Sequence, residues 1–395
     1  MISSFENKNV LIIGGGRWAR VIVEVILDLL PDTSQVFIFS AKNSEAMSVW
    51  TREKKIESKT VIVSDLLDLD IEKITAAIVV NAARDHEKAA EWAIQNGLPV
   101  LVEKPVTLNI NSTKRLMKLA NEKKNILTAA HVFRFSRYLE NFSHALNNQV
   151  ITSIKIHWMD AKSEIRHGEQ KSYDSSLPIY KDVLPHILSI LATLCLPLPE
   201  QIENMTLTNG GSDLEMEFLL GNIPCFLKLT RDGNERKRLI KVETESDILK
   251  MDFTKEPGMI INQYSQVNAD PDWNFEMRPL ASMLTAFLNS VSSGLVDNRL
   301  DITFGLKVNE FIDRTAFIYD TNMINWLLKQ EFPISDELEN YIKYALSEIL
   351  QKKSSLEKIE LNQKIEKLKL EFQNILKSIS LGEVGDSELF LNTMQ

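Results

Sequence analysis

Residue types that transfer protons occur in two short segments of the chain. Glu103, Lys104 and Pro105 follow a predicted strand, and Asp182 precedes His186 by four positions. That spacing places the carboxylate and the imidazole on one face of a helix. Amine, imidazole and carboxylate groups donate and accept protons in enzyme sites. The two segments therefore predict an acid–base site that contains Lys104, Asp182 and His186.

Each segment also has a structural interpretation. Glu-Lys-Pro is common in solvated turns, and a single histidine before an apolar run often belongs to a core. Asp182 could cap a helix that carries Pro185 in its first turn. Catalysis requires the two segments to meet at a substrate. Whether the rest of the sequence predicts a fold with such a site therefore decides between the catalytic and the structural interpretation.

A glycine-rich turn lies upstream of both segments. The motif Gly14-x-Gly16-x-x-Ala19 follows a short apolar run and opens a helical pattern. In this context the first glycine permits a tight turn and the second allows a pyrophosphate to approach the backbone. The helix N-terminus adds amides and the positive end of its dipole. We expect Gly14, Gly16, Arg17 and Trp18 to bind a dinucleotide.

The second predicted strand indicates which dinucleotide binds. An NAD site usually carries an acid after this strand, where the acid binds the ribose 2′-hydroxyl. This chain has Ser40, Ala41, Lys42 and Asn43 there. A hydroxyl and an ammonium group suit a 2′-phosphate, and no carboxylate repels it. The pattern predicts NADP through Ser40 and Lys42, with NAD as the alternative.

Strand and helix patterns alternate over residues 1–130. Further apolar runs separated by helix-like segments lie at residues 36–39, 61–63, 77–80 and 100–102. Alternation of this kind requires right-handed crossovers in a parallel sheet. The α/β pattern predicts a Rossmann domain, a doubly wound parallel sheet, over residues 1–130.

Strand candidates follow one another from residue 131 onward. They lie at residues 151–158, 213–220, 223–230, 239–245, 248–253 and 259–264. Helices are predicted at about residues 184–195, 277–293 and 301–328. Tight links after residues 220 and 244 favour antiparallel hairpins. Residues 131–330 are therefore predicted to form an α+β domain with an open, mostly antiparallel sheet.

Residues 331–395 are predicted to form a helical C-terminal extension. One helix face carries a stripe at 4-3-4-3-4 spacing, formed by Leu361, Ile365, Leu368, Phe372, Ile375 and Ile379. This helix could pack on its own subunit or on a dimer mate, or it could dock another protein. A partly disordered tail is a further alternative.

Composition excludes several classes of partner. The 395-residue chain has a net charge of -9 and a pI of about 5.4, which argues against nucleic-acid or membrane binding. Cys195 and Cys225 are expected to be buried thiols. His144, His157 and His167 lack metal-ligand spacing, so we predict no metal. Without a signal or membrane-spanning pattern, the chain is expected to be cytoplasmic.

The motifs together resemble the Gfo/Idh/MocA family of oxidoreductases over residues 8–330. The resemblance rests on three motifs in one order, Gly14-x-Gly16-x-x-Ala19, Glu103-Lys104-Pro105 and Asp182-x-x-x-His186. It implies a Rossmann domain followed by an open-sheet domain that shapes the substrate site. That second domain usually mediates oligomerisation, so a homodimer or homotetramer is expected.

The resemblance also implies roles for individual residues. Lys104 would lie beside the nicotinamide, with Pro105 after a cis peptide bond, and His186 would be the general acid or base. Asp182 would bind substrate or orient the proton-transfer group. Further cofactor contacts are implied at Asn81, His86 and Glu103. Substrate contacts are implied at Arg134 or Arg137, and at Tyr180.

These expectations lead to one leading function and two alternatives. The leading one is an NADP-preferring oxidoreductase that transfers hydride to or from a small carbonyl, alcohol or imine. Sugar derivatives are the commonest substrates of the resembled family. Because residues 177–186 are bulkier than its usual pattern, a cyclic imine (thiazoline-type) reductase of a natural-product or siderophore pathway is the enzymatic alternative. The other alternative is a non-catalytic NAD(P)-binding sensor or scaffold.

Overall fold

The computed structural model describes residues 9–166, 169–170 and 177–327. Its first sheet has six parallel strands, β1 (Asn9–Ile13), β2 (Val36–Phe39), β3 (Thr60–Val63), β4 (Ile74–Val79), β5 (Val100–Glu103) and β6 (Leu127–Ala130). The strands lie in the order β3-β2-β1-β4-β5-β6, which is the order of doubly wound dinucleotide-binding domains. The predicted Rossmann fold is confirmed.

β1 is buried on both faces, because it lies in the middle of the sheet with helices on either side. Val10, Leu11 and Ile12 have no exposed surface, as expected for a parallel strand covered on both sides by helices. The covering helices are α1 (Arg17–Leu29), α2 (Ser44–Glu53), α3 (His86–Gln95) and α4 (Ile110–Lys123). Asn109 caps α4, because its Oδ1 accepts the backbone N–H of Ser112 at 2.9 Å.

Within the described residues, the second part of the chain forms an open sheet, a separate two-stranded sheet of β8 and β9, and four α-helices. Its strands are β7 (Ile151–Ala161), β8 (Ile165–Arg166), β9 (Glu169–Gln170), β10 (Ile202–Thr208), β11 (Asp213–Leu220), β12 (Ile223–Gly233), β13 (Lys237–Thr244), β14 (Ile248–Asp252), β15 (Met259–Ile261) and β16 (Gln266–Asn268). The helices are α5 (Arg137–Ala145), α6 (Ile179–Thr193), α7 (Pro279–Ser293) and α8 (Ile302–Leu327).

The large second sheet has the order β10-β11-β12-β7-β13-β14-β15-β16. Within the described residues, β12 and β7 pair in parallel, and the other neighbouring strands pair antiparallel. The prediction of an open, mostly antiparallel sheet is confirmed. The sequence patterns did not predict β10, β16 or the β8–β9 hairpin. β16 has three residues, all exposed, so no alternation marks it.

The start of α6 corrects the prediction of a helix from residue 184. The helix begins at Ile179, so Asp182 lies inside it and Pro178 is the capping residue. Pro185 therefore lies in the helix interior, where its missing N–H is unfavourable. Burial of Ile179, Tyr180 and their apolar neighbours in the second core stabilises the extra turn. Cys195, expected to be buried, is exposed just after this helix.

The two parts of the chain share buried contacts. α7, which lies in the range predicted for the second domain, shares a hydrophobic cluster with α1. α8 contacts α4 and β6, and the buried amide of Asn309 donates to the Thr113 hydroxyl at 2.8 Å. The domain boundaries at residues 130 and 330 stay predictions. None of the helices in the described ranges has the length and apolar composition needed to cross a bilayer.

Two sequence predictions fall outside the described residues. They are the helical extension over residues 331–395, with its stripe beginning at Leu361, and the absence of a metal role for His167.

Candidate functional site

A cleft of about 1030 Å³ joins the carboxyl ends of the first sheet to the second domain. Ligands of doubly wound domains bind at this edge. Eight Lys and Arg residues and five Asp and Glu residues line the cleft, although the whole chain has a net charge of -9. This local excess of positive charge favours an anionic ligand.

The glycine turn forms one end of the cleft. A Cβ at Gly14 would lie 2.6 Å from the carbonyl oxygen of Val80, so no larger residue fits there. A Cβ at Gly16 would meet no heavy atom within 4 Å. Gly16 is also the N-cap residue of α1, whose first amides have no partner within the helix. The turn therefore offers open space and N–H donors to a phosphate group.

Ser40 and Lys42 lie beside this turn, as expected, and both line the cleft. The Oγ of Ser40 accepts the backbone N–H of Asn43 at 3.1 Å. The side-chain amide of Asn43 donates to the carbonyl oxygen of Gly15 at 3.3 Å. Lys42 is exposed. Asn43 thus connects the end of β2 to the glycine turn, a role that its position in the sequence does not reveal.

Glu103 connects the turn to the predicted catalytic lysine. Its Oε1 accepts the indole N–H of Trp18 at 2.8 Å, and its Oε2 accepts the backbone N–H of Lys104 at 3.1 Å. Burial raises the pKa of this carboxyl above its ordinary value, although the same two partners oppose the rise. Both oxygens are therefore used to hold Trp18 and Lys104, two residues that were predicted from separate motifs.

His86 connects the backbone at Asn81 to the backbone at Pro105, the residue that follows Lys104. The His86 ring is buried, with Nδ1 2.8 Å from the carbonyl oxygen of Pro105 and Nε2 3.1 Å from that of Asn81. Burial lowers the pKa of this imidazole. The peptide bond between Lys104 and Pro105 is cis, as expected. His86 was predicted to contact the cofactor, whereas its ring nitrogens face two backbone carbonyl groups of the protein.

Lys104 and Asp182 meet in the cleft. The ammonium Nζ of Lys104 donates to Oδ1 of Asp182 at 2.7 Å and to the backbone carbonyl oxygen of the same residue at 2.8 Å. Arg231 lies 3.8 Å from Oδ2. Burial alone would raise the pKa of the Asp182 carboxyl, but the two cations outweigh it and hold the pKa well below its usual range. Asp182 is therefore ionised and orients Lys104.

His186 lies one turn further along α6 and also lines the cleft. Its ring is parallel to that of Trp158, with centroids 5.3 Å apart, and it meets the edge of Phe133 at 5.3 Å. Burial, followed by the charge of Lys104, lowers the pKa of this imidazole well below its usual value. A neutral imidazole at neutral pH is able to accept a proton.

Two predicted substrate residues lie away from the cleft lining. The guanidinium of Arg134 donates to the backbone carbonyls of Asn298 and Arg299 at 3.1 and 2.9 Å. Tyr180 is fully buried and its ring packs on Tyr319. Both side chains hold the fold together in this structure, because α6 begins early enough to turn Tyr180 into the core. Their predicted contact with substrate is not supported by this placement.

Several cleft residues were missed because they lie on strands of the second sheet, beside those strands or just before α7, outside the motifs. They are Trp158, Asp160, Arg236, Arg238, Glu256 and Arg278. Trp158 and Asp160 in β7 are two apart, as are Arg236 and Arg238 around the start of β13. This spacing was the available signal, since alternate residues share one strand face. Within the described ranges, no group of three or more His, Cys, Asp and Glu side chains could hold a metal ion.

Comparison with known proteins agrees with this arrangement. Residues 8–131 match the Gfo/Idh/MocA family model, which describes an oxidoreductase family with an NAD-binding Rossmann fold. No curated protein sequence gives a significant match to the chain. The family match covers the dinucleotide turn, Lys104 and the end of the parallel sheet.

Solved structures extend the likeness to the second domain. UDP-N-acetylglucosamine 3-dehydrogenase GnnA from Acidithiobacillus ferrooxidans superposes with a TM-score of 0.64 at 17% identity, over 80% of this chain and 99% of that chain. An aldose-aldose oxidoreductase from Caulobacter crescentus gives 0.63 at 12%, over 81% and 98%. A Gfo/Idh/MocA family oxidoreductase from Vibrio cholerae gives 0.62 at 14%, over 80% and 99%.

At these identities the solved structures show a shared fold, and the family model supplies the assignment for the first domain. Residues 8–131 therefore resemble the Gfo/Idh/MocA oxidoreductases in sequence, and the described chain as a whole resembles the solved structures in fold.

Proposed function

We propose that this protein is an NADP-preferring oxidoreductase that transfers hydride to or from a small carbonyl, alcohol or imine substrate. The observation that carries the proposal is the ion pair between Lys104 and Asp182, in the cleft that begins at the glycine turn. Reduction of a carbonyl or imine carbon requires a proton donor close to the hydride donor. Lys104 and the glycine turn line the same cleft, which supports this role for the lysine.

The first half of the cleft fits a nicotinamide dinucleotide. The open space at Gly16 and the amides of α1 suit the pyrophosphate. When bound, the cofactor supplies or accepts hydride. Ser40 and Lys42 support NADP, because no carboxylate lies among residues 40–43 to repel a 2′-phosphate. NAD is the alternative cofactor.

Three side chains carry the proton transfer in this proposal. Lys104 binds the oxygen or nitrogen of the substrate and donates a proton to it during reduction. Asp182 keeps the ammonium in place through its carboxylate and its backbone carbonyl. When the reaction runs from alcohol to carbonyl, the same proton returns to Lys104, and His186, kept neutral by burial and by the nearby Lys104, accepts it from the ammonium.

We propose a sugar derivative as the substrate class. Two solved structures with this fold bear the names of enzymes that act on sugars, a UDP-N-acetylglucosamine 3-dehydrogenase and an aldose-aldose oxidoreductase. A cleft of about 1030 Å³ has room for such a ligand beside a dinucleotide. Cyclic imines are the alternative class and belong in the same assay.

The test is a cofactor titration followed by a substrate panel. Purified protein is titrated with NADPH and NADH, and then assayed for NADPH oxidation with sugar, carbonyl and cyclic imine compounds. Tighter binding of NADPH and turnover of at least one compound are expected. Lys104→Met should lower turnover by about 100-fold or more, since acid–base groups contribute that much, and should still bind NADPH.

Lys114→Met is the matched control, because Lys114 is an exposed lysine on α4 outside the cleft. It should behave as the wild type. Turnover that survives in Lys104→Met would overturn the catalytic assignment. Tight NADPH binding without oxidation by any compound would favour the non-catalytic sensor.

We further propose a homodimer or homotetramer that acts in the cytoplasm without a nucleic-acid or membrane partner. Large apolar side chains on β14, on β16 and in the turn between β15 and β16 are exposed, namely Ile248, Val267 and Tyr264. They support self-association. Light scattering of the full chain tests the oligomer, and a monomer at micromolar concentration would contradict it. Docking of another protein through the C-terminal residues stays a prediction.

A further inference from the structure

His186 belongs to a three-residue arrangement that its sequence motif does not contain. The guanidinium carbon of Arg238 lies 3.6 Å from the ring centroid of Trp158. The imidazole of His186 is stacked on the same indole, with 13° between the ring planes. We call this arrangement the Arg238–Trp158–His186 stack.

Strand pairing fixes the first half of this stack. Trp158 on β7 and Arg238 on β13 are directly opposite each other in an antiparallel pair, so their side chains share one sheet face at close range. Arg238 is buried. Its guanidinium donates to the carbonyl oxygens of Met159 and Lys237 and to Oδ1 of Asp160. A guanidinium held at this many points has little freedom to leave the indole.

The second half of the stack restricts His186. Its ring is parallel to Trp158 and perpendicular to Phe133, and the Phe133 ring also meets Trp158 edge-on at 5.8 Å. Aromatic contacts of this kind favour particular ring orientations. These two contacts therefore restrict the plane of the imidazole in the cleft.

The charges around His186 favour its neutral form. Burial and two cations, Lys104 and Arg238, lower the pKa of the imidazole, whereas Asp182 and Asp160 act in the opposite direction. Each carboxylate is paired with one of the cations, Asp182 with Lys104 and Asp160 with Arg238. Pairing weakens the attraction of these carboxylates for a proton on His186. Burial therefore dominates and keeps the pKa of the imidazole low.

We propose that Trp158 and Arg238 are positioning residues for His186: the indole orients the imidazole in the cleft and shields it from water, and the guanidinium places a positive charge near it. The inference deepens the proposed function and rests on it for the importance of His186 in turnover. Its physical content, the orientation and charge of one ring, is measurable without any substrate.

The test is a histidine titration by NMR. The full-length chain is labelled with ¹³C at histidine, and the His186 signal is assigned by its loss in His186→Asn. Trp158→Leu and Arg238→Met should each move the titration midpoint of this signal upward, by about one pH unit, since burial or a neighbouring cation is lost. Trp158→Phe should return the midpoint part of the way toward its wild-type value. Arg238→Lys keeps the positive charge and should therefore remove the part of the upward shift that loss of the cation causes.

Trp50→Phe is the matched control. Trp50 is another buried tryptophan with an arginine, Arg20, over its ring at 5.9 Å, but it lies on α2 and outside the cleft. It should leave the His186 midpoint unchanged. If Trp158→Leu does not fold, Trp158→Phe and Arg238→Met carry the same test. The upward shift of the midpoint should then be smaller in Trp158→Phe than the shift expected for Trp158→Leu, and in Arg238→Met it should equal that shift.

A His186 midpoint that is the same in the wild type, Arg238→Met and both Trp158 variants would overturn the proposal. Once a substrate is found, the acidic limb of the kcat/KM profile should shift in parallel with the NMR midpoint. An NMR shift without that change in the profile would support the stack and would count against the proton-transfer role of His186. Failure of the stack proposal and failure of the proposed proton-transfer role therefore give different results.

Discussion

Lys104 and Asp182 form an ion pair in which each group compensates for the hydration that the other has lost. The side chain of Lys104 is 16% exposed and that of Asp182 is 29% exposed, so water reaches both only in part. Arg231 and the backbone carbonyl of Asp182 complete the arrangement. At the scale of single residues, the position of Lys104 therefore depends on one carboxylate.

Asp182→Asn keeps the shape of the side chain and removes its charge. We expect kcat/KM to fall by about 100-fold or more, because the ammonium of Lys104 loses the partner that orients it. Steady-state kinetics measures the loss, and NADPH affinity by fluorescence titration should change little. Asp32→Asn is the control, since it removes a carboxylate from the surface pair with Lys59. A variant with wild-type kcat/KM would contradict the assigned role.

His131 carries a pH dependence of stability. Burial, with Arg134 and Lys104 nearby, lowers the pKa of its imidazole to about 3. Between pH 6.5 and that value the unfolded chain binds a proton that the folded chain does not, so the free energy of unfolding decreases as pH falls. The expected slope is up to about 1.4 kcal/mol per pH unit from this group.

The measurement is urea unfolding of the wild type and His131→Leu between pH 7 and pH 5. The free energy of unfolding of the variant should fall less steeply with decreasing pH, because leucine cannot take up a proton in the unfolded chain. His144→Leu is the control, because His144 is exposed on α5. Equal slopes for the wild type and His131→Leu would show that the His131 side chain is accessible to protons in the fold.

At the scale of elements, Gly14 and Gly16 in the turn between β1 and α1 are glycines for two different reasons. Gly14 is needed by the fold, since its backbone approaches Val80 too closely for a Cβ. Gly16 is open on the cleft side and has φ -87°, a conformation that any residue adopts. Its lack of a side chain therefore serves a ligand.

Gly14→Ala and Gly16→Ala should accordingly fail in different ways. Gly14→Ala should lower the free energy of unfolding by about 1–3 kcal/mol through overpacking. Gly16→Ala should unfold nearly as the wild type but bind NADPH at least about tenfold more weakly, because a methyl group enters the space for the pyrophosphate. Urea unfolding and fluorescence titration give both quantities. Wild-type NADPH affinity in Gly16→Ala would exclude the turn as the phosphate site.

At the scale of the whole molecule, α8 connects the second domain to the first. The buried side-chain amide of Asn309 donates to the backbone carbonyl of Thr107 at 3.1 Å and to the hydroxyl of Thr113 at 2.8 Å. Ile110 at the start of α4 donates its backbone N–H to Asp313 at 2.9 Å. These bonds fix the position of the segment that follows Lys104, and they come from residues about 200 positions later in the chain.

Asn309→Ala should lower the free energy of unfolding by about 1–3 kcal/mol, because Thr107 and Thr113 are left buried with fewer partners. Urea unfolding of the full chain measures the loss. The matched control is Asn289→Ala, which removes an amide from the exposed face of α7 and should change the stability by less than about 0.5 kcal/mol. Equal effects of the two variants would show that α8 does not stabilise this contact.

Much of the site was predictable because its chemistry lies in local motifs. Gly14, Lys104, Asp182 and His186 were predicted from spacing and from a family resemblance, and all four line one cleft. Arg134 was assigned to substrate from the family resemblance, yet its guanidinium contacts the backbone before α8. The direction of that side chain depends on a distant segment, which no local pattern contains.

The amino-acid sequence by itself determined the Rossmann fold and its cofactor turn, because continuous apolar runs and a glycine pair are properties of neighbouring residues. It also determined that Asp182 and His186 share a helix face, since helix geometry repeats every 3.6 residues. Only the tertiary structure decided that Lys104 pairs with Asp182, that His186 stacks on Trp158 and that Arg238 packs on the same indole. Those contacts depend on strand register and on packing between distant segments, which spacing along the chain does not specify.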